Sequence, residues 1–137
     1  MELETLLPHR SPMLLLERVV AFSNDGIECV VKTKDTPFNH EGAIDIVVAT
    51  EWMAQAVGAY VGATRREKGE SPRVGFIIGS RRLDFHVNRV PSDAVLRVHA
   101  RPVWIDRGNG SFQCRVEEVD SGRILAEGSL TVHEPES

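Results

Sequence analysis

Among the side chains able to move protons near neutral pH, His40 and Glu51 stand out by their setting. His40 falls in a polar loop, and an imidazole with a reference pKa of about 6.5 changes charge close to neutrality and can act as a base. Glu51 falls in a run, Ile44 to Ala63, in which Asp45, Thr50, Glu51 and Gln55 are nearly the only polar side chains. Apolar surroundings would desolvate that carboxyl and favour its protonated, donating form. A base and an acid so placed suit a reaction that takes a proton from one atom and delivers another to a leaving group. Packing alone is a poor reason for the glutamate, because burying a charge without a partner is strongly unfavourable. Gln55, one helical turn further on, can hydrogen-bond Glu51 or a strand and is a candidate substrate contact. The backbone amides of Ile46 and Val47, at the start of the run, carry the positive end of a helix dipole and are suited to an oxyanion. Asp45 is suited to cap that same end, where its carboxylate would oppose negative charge.

The run that carries Glu51 must be a helix, about 30 Å long for twenty residues. Val47, Val48, Trp52, Met53, Ala56, Val57 and Tyr60 point in every direction around it, so it must be surrounded. Gly58 and Gly62 each cost about 1 kcal/mol of helix propensity relative to alanine, which makes sense where another backbone passes close to that face. Before it, Met13 to Phe22 and Ile27 to Thr33 read as strands joined at Asn24-Asp25-Gly26. After it comes a charged loop, Arg65 to Pro72, and then four strand-like segments. Leu96, Val98 and Ala100 alternate with Arg97, His99 and Arg101, and Phe112, Cys114 and Val116 with Gln113, Arg115 and Glu117. Ile124, Ala126, Leu130 and Val132 continue the period of two, with turns at Pro91-Ser92-Asp93, Gly108-Asn109-Gly110 and Asp120-Ser121-Gly122. The order predicts an α+β fold in one domain, residues 1–137, with a curved antiparallel sheet wrapped around a long central helix. No internal repeat, linker or low-complexity segment interrupts it, apart from the last few residues after His133.

Composition removes other classes of function. A chain of 137 residues can withdraw roughly two-thirds of its unfolded surface from water. A net charge of -4 lacks the cationic surface of a general nucleic-acid binder. No apolar run is long enough to span a membrane and no basic leader opens the chain, so a cytoplasmic protein is expected. Cys29 and Cys114 are far apart in alternating segments and read as reduced, inward-packed thiols. His86, His99 and His133 show no metal-ligand spacing.

Three segments together resemble the 3-hydroxyacyl-[acyl carrier protein] dehydratases of fatty-acid synthesis. Leu6-Leu7-Pro8-His9-Arg10, followed by Ser11-Pro12-Met13-Leu14-Leu15-Leu16-Glu17-Arg18-Val19, is close to that family's opening. Glu51-Trp52-Met53-Ala54-Gln55 is similar to its Glu-x-Met-Ala-Gln stretch, where the glutamate is catalytic. Gly79, Phe85, Pro91 and Asp93 match a third set at the family's spacing, with Ser92 in place of the usual glycine. The small dehydratase-like proteins of aryl-polyene pathways are similar in particular. One departure stands out: the Pro-Gly-rich stretch before the helix is reduced to His40-Glu41-Gly42-Ala43-Ile44-Asp45-Ile46, bringing His40 three residues nearer to Glu51 than in that family.

The resemblance implies a hot-dog fold, two sheets joined edge to edge in a dimer, and active sites at the subunit boundary. It implies an acyl substrate on phosphopantetheine, carried by acyl carrier protein or coenzyme A, with no cofactor or metal. The subunit partner would be a second copy or a related hot-dog chain. His40 is then the candidate base, Glu51 the candidate acid, and Ile46, Val47, Gln55 and Gly79 the candidate substrate contacts. His9 reads as holding the N-terminal turn, with the wall of the substrate channel as its alternative role. Arg65, Arg66, Lys68, Arg81 and Arg82 read as solvated faces, or as a dock for an acidic carrier protein. Two other readings stay open. The same parts could activate water in a thioesterase, or the chain could be a non-catalytic partner of an active dehydratase.

Overall fold

The computed structural model describes residues 1–70 and 76–133; Ser71 and Pro72 of the expected loop, and the residues after His133, lie outside the described residues. A short helix, α1 (Leu3–Leu6), precedes strands β1 (Leu16–Ser23), β2 (Gly26–Val31) and β3 (Ala43–Asp45). A turn of tight helix over Ile46–Val48 then leads into the long helix α2 (Ala49–Glu67). Strands β4 (Phe76–Phe85), β5 (Arg89–Pro91), β6 (Leu96–Asp106), β7 (Asn109–Glu118) and β8 (Ile124–His133) follow. Six of these strands pair antiparallel in the order β1-β2-β6-β7-β8-β4, and β3 pairs with β5 beside them. This is the hot-dog arrangement, with α2 packed along the sheet.

The helix differs from its expected span at both ends. Ile44 belongs to β3, where it pairs with Val90, so the helix starts after Asp45. Asp45 does cap it, accepting a hydrogen bond from the Val47 amide at 3.0 Å. At the other end α2 runs on to Glu67, because Arg65 and Arg66 in the last turn suit the negative end of the dipole. The Lys68 and Glu70 amides close that end by donating to the Arg65 carbonyl.

The alternation in the late strands is seen directly. Leu96, Val98, Ala100, Phe112, Cys114, Val116, Ala126 and Leu130 are buried against Trp52, Met53, Ala56 and Tyr60 of α2. Ile124 departs from it, 37% exposed, while Leu125 turns inward. A register shift between β7 and β8 at Val116 and Glu117 accounts for the change of face. The β6–β7 turn falls at Arg107-Gly108, earlier than the sequence suggests, since Asn109 and Gly110 already pair with Asp106 and Ile105. On the outer face His99 lies 2.9 Å from Glu117 and 3.5 Å from Glu28, and Arg97 reaches Glu28 at 3.2 Å. Those partners sit on neighbouring strands, which is why spacing along the chain did not reveal the cluster.

The backbone expected to cross α2 is that of the N-terminal segment. A methyl group on Gly62 would overlap the Leu6 carbonyl, and one on Gly58 would press on the Leu7 side chain. Leu3, Leu6 and Leu7 are buried there, and Arg66 bonds the Thr5 hydroxyl at 3.0 Å. We expect Gly62→Ala to lower unfolding free energy by about 1–3 kcal/mol despite alanine's better helix propensity. Urea denaturation measures this, and a more stable variant would refute the close approach. Both cysteines are free and buried, and burial pushes each thiol up to about 12, helped at Cys29 by the Glu28 carboxylate. The thiolate is the reactive form, so native protein at pH 8 should react with iodoacetamide far more slowly than protein in denaturant. Equal rates would contradict the inward packing.

Candidate active site

One face of α2 is not covered by the sheet. Glu51, Ala54, Gly58, Val61, Arg65 and Lys68, spaced three and four apart, line a cleft of about 410 Å³. The helix is therefore not enclosed on every side, as its composition suggested. The residues left open are small or polar, and they run about 25 Å along the axis. Leu6, Leu7, Pro8 and His9 of the N-terminal segment line the same cleft, with Ile105, Gly110 and Phe112 from the β6–β7 hairpin. Leu130, Val132 and His133 come from β8. A mostly apolar channel with a few polar groups at defined points suits an extended, largely hydrocarbon ligand.

Glu51 stands at the end of this channel nearest the helix start. Its side chain is 45% exposed, so the full desolvation expected of it is not met in the single chain. Glu51 Oε1 accepts a hydrogen bond from Gln55 Nε2 at 3.3 Å and lies 3.8 Å from His9 Nε2. Gln55 is 1% exposed and also donates to the Met13 carbonyl at 2.8 Å and accepts from the Leu15 amide at 2.9 Å. Its polar atoms are thus committed to the protein, and it acts on a substrate only through Glu51.

The remaining candidates lie elsewhere. His40 is exposed and is not among the residues lining the cleft. Its backbone pairs with Ala43 across a two-residue turn, Glu41-Gly42, in which both residues have positive φ, 52° and 81°. Arg89 Nη2 donates to the His40 carbonyl at 3.1 Å, tying this turn to β5. The Ile46 amide donates to the Asn88 carbonyl at 3.0 Å and the Val47 amide to Asp45, so neither is free to receive an oxyanion. Gly79 is exposed on β4, an edge strand of the sheet, and among the described residues nothing lies within 4 Å of where a Cβ would be.

His9, read as holding the N-terminal turn with the channel wall as its alternative role, lines the cleft. Besides the motif around it, the signal for its place was the pair of glycines on α2, which announced that a backbone crosses the helix two turns beyond Glu51. Which backbone it was required the fold.

The sequence profile of the ApeP-like family, described as ApeP dehydratase, matches residues 1–137. The chain belongs to the ApeP-like dehydratase family. The 3-hydroxyacyl-[acyl-carrier-protein] dehydratase FabZ of Streptococcus pyogenes is similar at 31% identity over 136 residues, covering 95% of this chain and 94% of that protein. The structure of the dehydratase heterocomplex ApeI:P from Xenorhabdus doucetiae superposes with a TM-score of 0.91 at 29% identity, covering 100% of this chain and 93% of that one. A hypothetical thioesterase from Streptococcus pneumoniae, solved with coenzyme A, shares the fold with a TM-score of 0.68 at 13% identity, covering 88% of this chain and 86% of the other.

Replacing Gln55 with leucine would strand the buried Leu15 amide and release Glu51. We expect Gln55→Leu to lose about 2–4 kcal/mol of unfolding free energy in urea. Unchanged stability would show that these hydrogen bonds contribute little.

Proposed function

We propose that this chain removes water from a 3-hydroxyacyl thioester and leaves the trans-2-enoyl thioester. The substrate hangs on phosphopantetheine of acyl carrier protein or coenzyme A, in fatty-acid or polyene-type biosynthesis in the cytoplasm. The observation that carries this reading is the Glu51 carboxyl, held by a buried amide at the head of a channel with mostly apolar walls, in a chain of a dehydratase family. An acyl chain laid along α2 brings its first carbons to Glu51 and the carbons beyond them against Ala54, Gly58 and Val61.

In the reaction a base takes the proton from the carbon next to the carbonyl, and the electron pair forms the new double bond. The bond from the next carbon to the hydroxyl oxygen breaks, and an acid protonates that oxygen so that it leaves as water. Glu51 is the acid in this scheme and His40 the base. Within one chain His40 does not line the Glu51 channel, so His40 would serve the channel of a second hot-dog subunit. The β3–β5 pair ties His40 to Arg89, and β5 follows directly on the edge strand β4. A subunit joined through the free edge of β4 would meet Gly79. That the similar ApeI:P protein is a dehydratase heterocomplex supports a related chain as the partner, besides a second copy.

Intact mass spectrometry of a 3-hydroxyacyl carrier protein tests the reading. Incubation with the protein, alone and with a related hot-dog subunit, should remove one water, and Glu51→Gln should abolish that loss. Release of the acyl group would mean a thioesterase. A Glu51→Gln complex as active as the natural one would mean a non-catalytic partner.

A further inference from the structure

His9 reaches the channel by a route independent of the family-like pair. The N-terminal segment is clamped on α2 where Gly58 and Gly62 admit it, and this sets the His9 ring beside Glu51. The ring is partly enclosed, 34% exposed at its side chain, and its two nitrogens differ sharply. Nδ1 is buried and has no hydrogen-bond partner among the described residues, whereas Nε2 faces Glu51 Oε1. In a neutral imidazole one nitrogen carries the proton and the other accepts. A proton on buried Nδ1 would be an unsatisfied donor, which is costly, whereas on Nε2 it faces Oε1, the oxygen that accepts when Glu51 carries its acid proton on Oε2. The proton therefore belongs on Nε2.

We propose that His9, in its Nε2–H form, is a positioning residue for Glu51. Its N–H and the Gln55 amide both address Oε1, and this leaves Oε2 to meet the substrate. The 3.8 Å separation is too long for a hydrogen bond as it stands. Catalytic hydrogen bonds commonly tighten once substrate is bound. Gln55 cannot fix the carboxyl plane alone, since one 3.3 Å bond leaves Glu51 free to turn about it. A second donor on the same oxygen defines the plane, and a reacting oxygen misplaced by about 1 Å can cost on the order of 100-fold in rate. The other ionisable groups on the channel are Tyr60, which donates to the Asn24 carbonyl at 2.7 Å, and Arg65, Lys68, Glu70 and His133. Arg65 pairs with Glu70 at 3.1 Å, and His133 Nδ1 is 2.8 Å from Asn109. Arg10, next to His9, turns back to bond the Leu7 and His9 carbonyls.

The inference rests on the dehydratase reading for its kinetic arm only. Two variants separate positioning from packing: His9→Gln places an amide nitrogen near the site of Nε2, and His9→Leu keeps bulk without a donor. With a 3-hydroxyacyl thioester, His9→Leu should lower kcat by about 10–100-fold with KM little changed. His9→Gln should recover most of that loss, and both variants should melt close to the natural protein. Equal loss in the two variants, or no loss in either, would overturn the proposal. The spectroscopic arm needs no activity. Nitrogen-15 NMR of the full chain should show His9 as the Nε2–H tautomer, with the Nε2 resonance displaced in Glu51→Gln. An Nδ1–H tautomer, or an Nε2 signal indifferent to Glu51→Gln, would overturn it. A protein that passes this arm yet dehydrates nothing would refute the dehydratase reading and leave the His9 contact standing.

Discussion

Gln55 places an uncharged amide in the core on the one helix face where an apolar residue would otherwise do. Its three hydrogen bonds join the segment before β1, the body of α2 and the Glu51 carboxyl. Each bond has a separate consequence. Those to Met13 and Leu15 satisfy main-chain groups that no strand partner reaches, and so fix where the chain enters β1. The bond to Glu51 restrains that carboxyl through a neutral amide, without tying it to a cation. A buried amide with every polar atom engaged is stable in a low-dielectric interior, and it is rigid for the same reason.

The N-terminal segment depends on the same arrangement from the other side. Leu3, Leu6 and Leu7 bury apolar surface against α2, and the glycines let the backbone approach so closely that the segment has one seat. The residues that follow, Pro8 and His9, are carried to the head of the channel. The channel itself exists because the stripe of α2 facing away from the sheet has small side chains at Ala54 and Gly58. Larger residues there would fill it. Packing of the inner face and emptiness of the outer stripe are thus two results of one helix sequence.

Much of the fold was legible because hydrophobic periodicity is a local property. The alternation in Leu96 to Ala100 and in Phe112 to Val116, the Asp45 cap and the inward cysteines all depend on neighbours a few residues away. The misplacements have non-local causes. Ile44 is as apolar as its helical neighbours, and only pairing with Val90 makes it a strand residue. Ile124 fits a period of two that a register shift breaks. The outer-face cluster of Glu28, His99 and Glu117 comes from three strands, and no spacing along one of them could announce it.

For the site, the sequence by itself determined that one carboxyl would sit on a mostly apolar helix, one turn from an amide able to hold it. Spacing of three and four along a helix is fixed by backbone geometry, so Glu51 and Gln55 were bound to meet. Only the tertiary structure decided which histidine stands beside that carboxyl. His40 is nearer to Glu51 along the chain, but its tight turn is tied to β5 and lies off the channel. His9 is far away along the chain and is brought in by leucine burial against two glycines. Proximity across elements is set by packing, which sums over many residues, and for that reason it cannot be read from the pair alone.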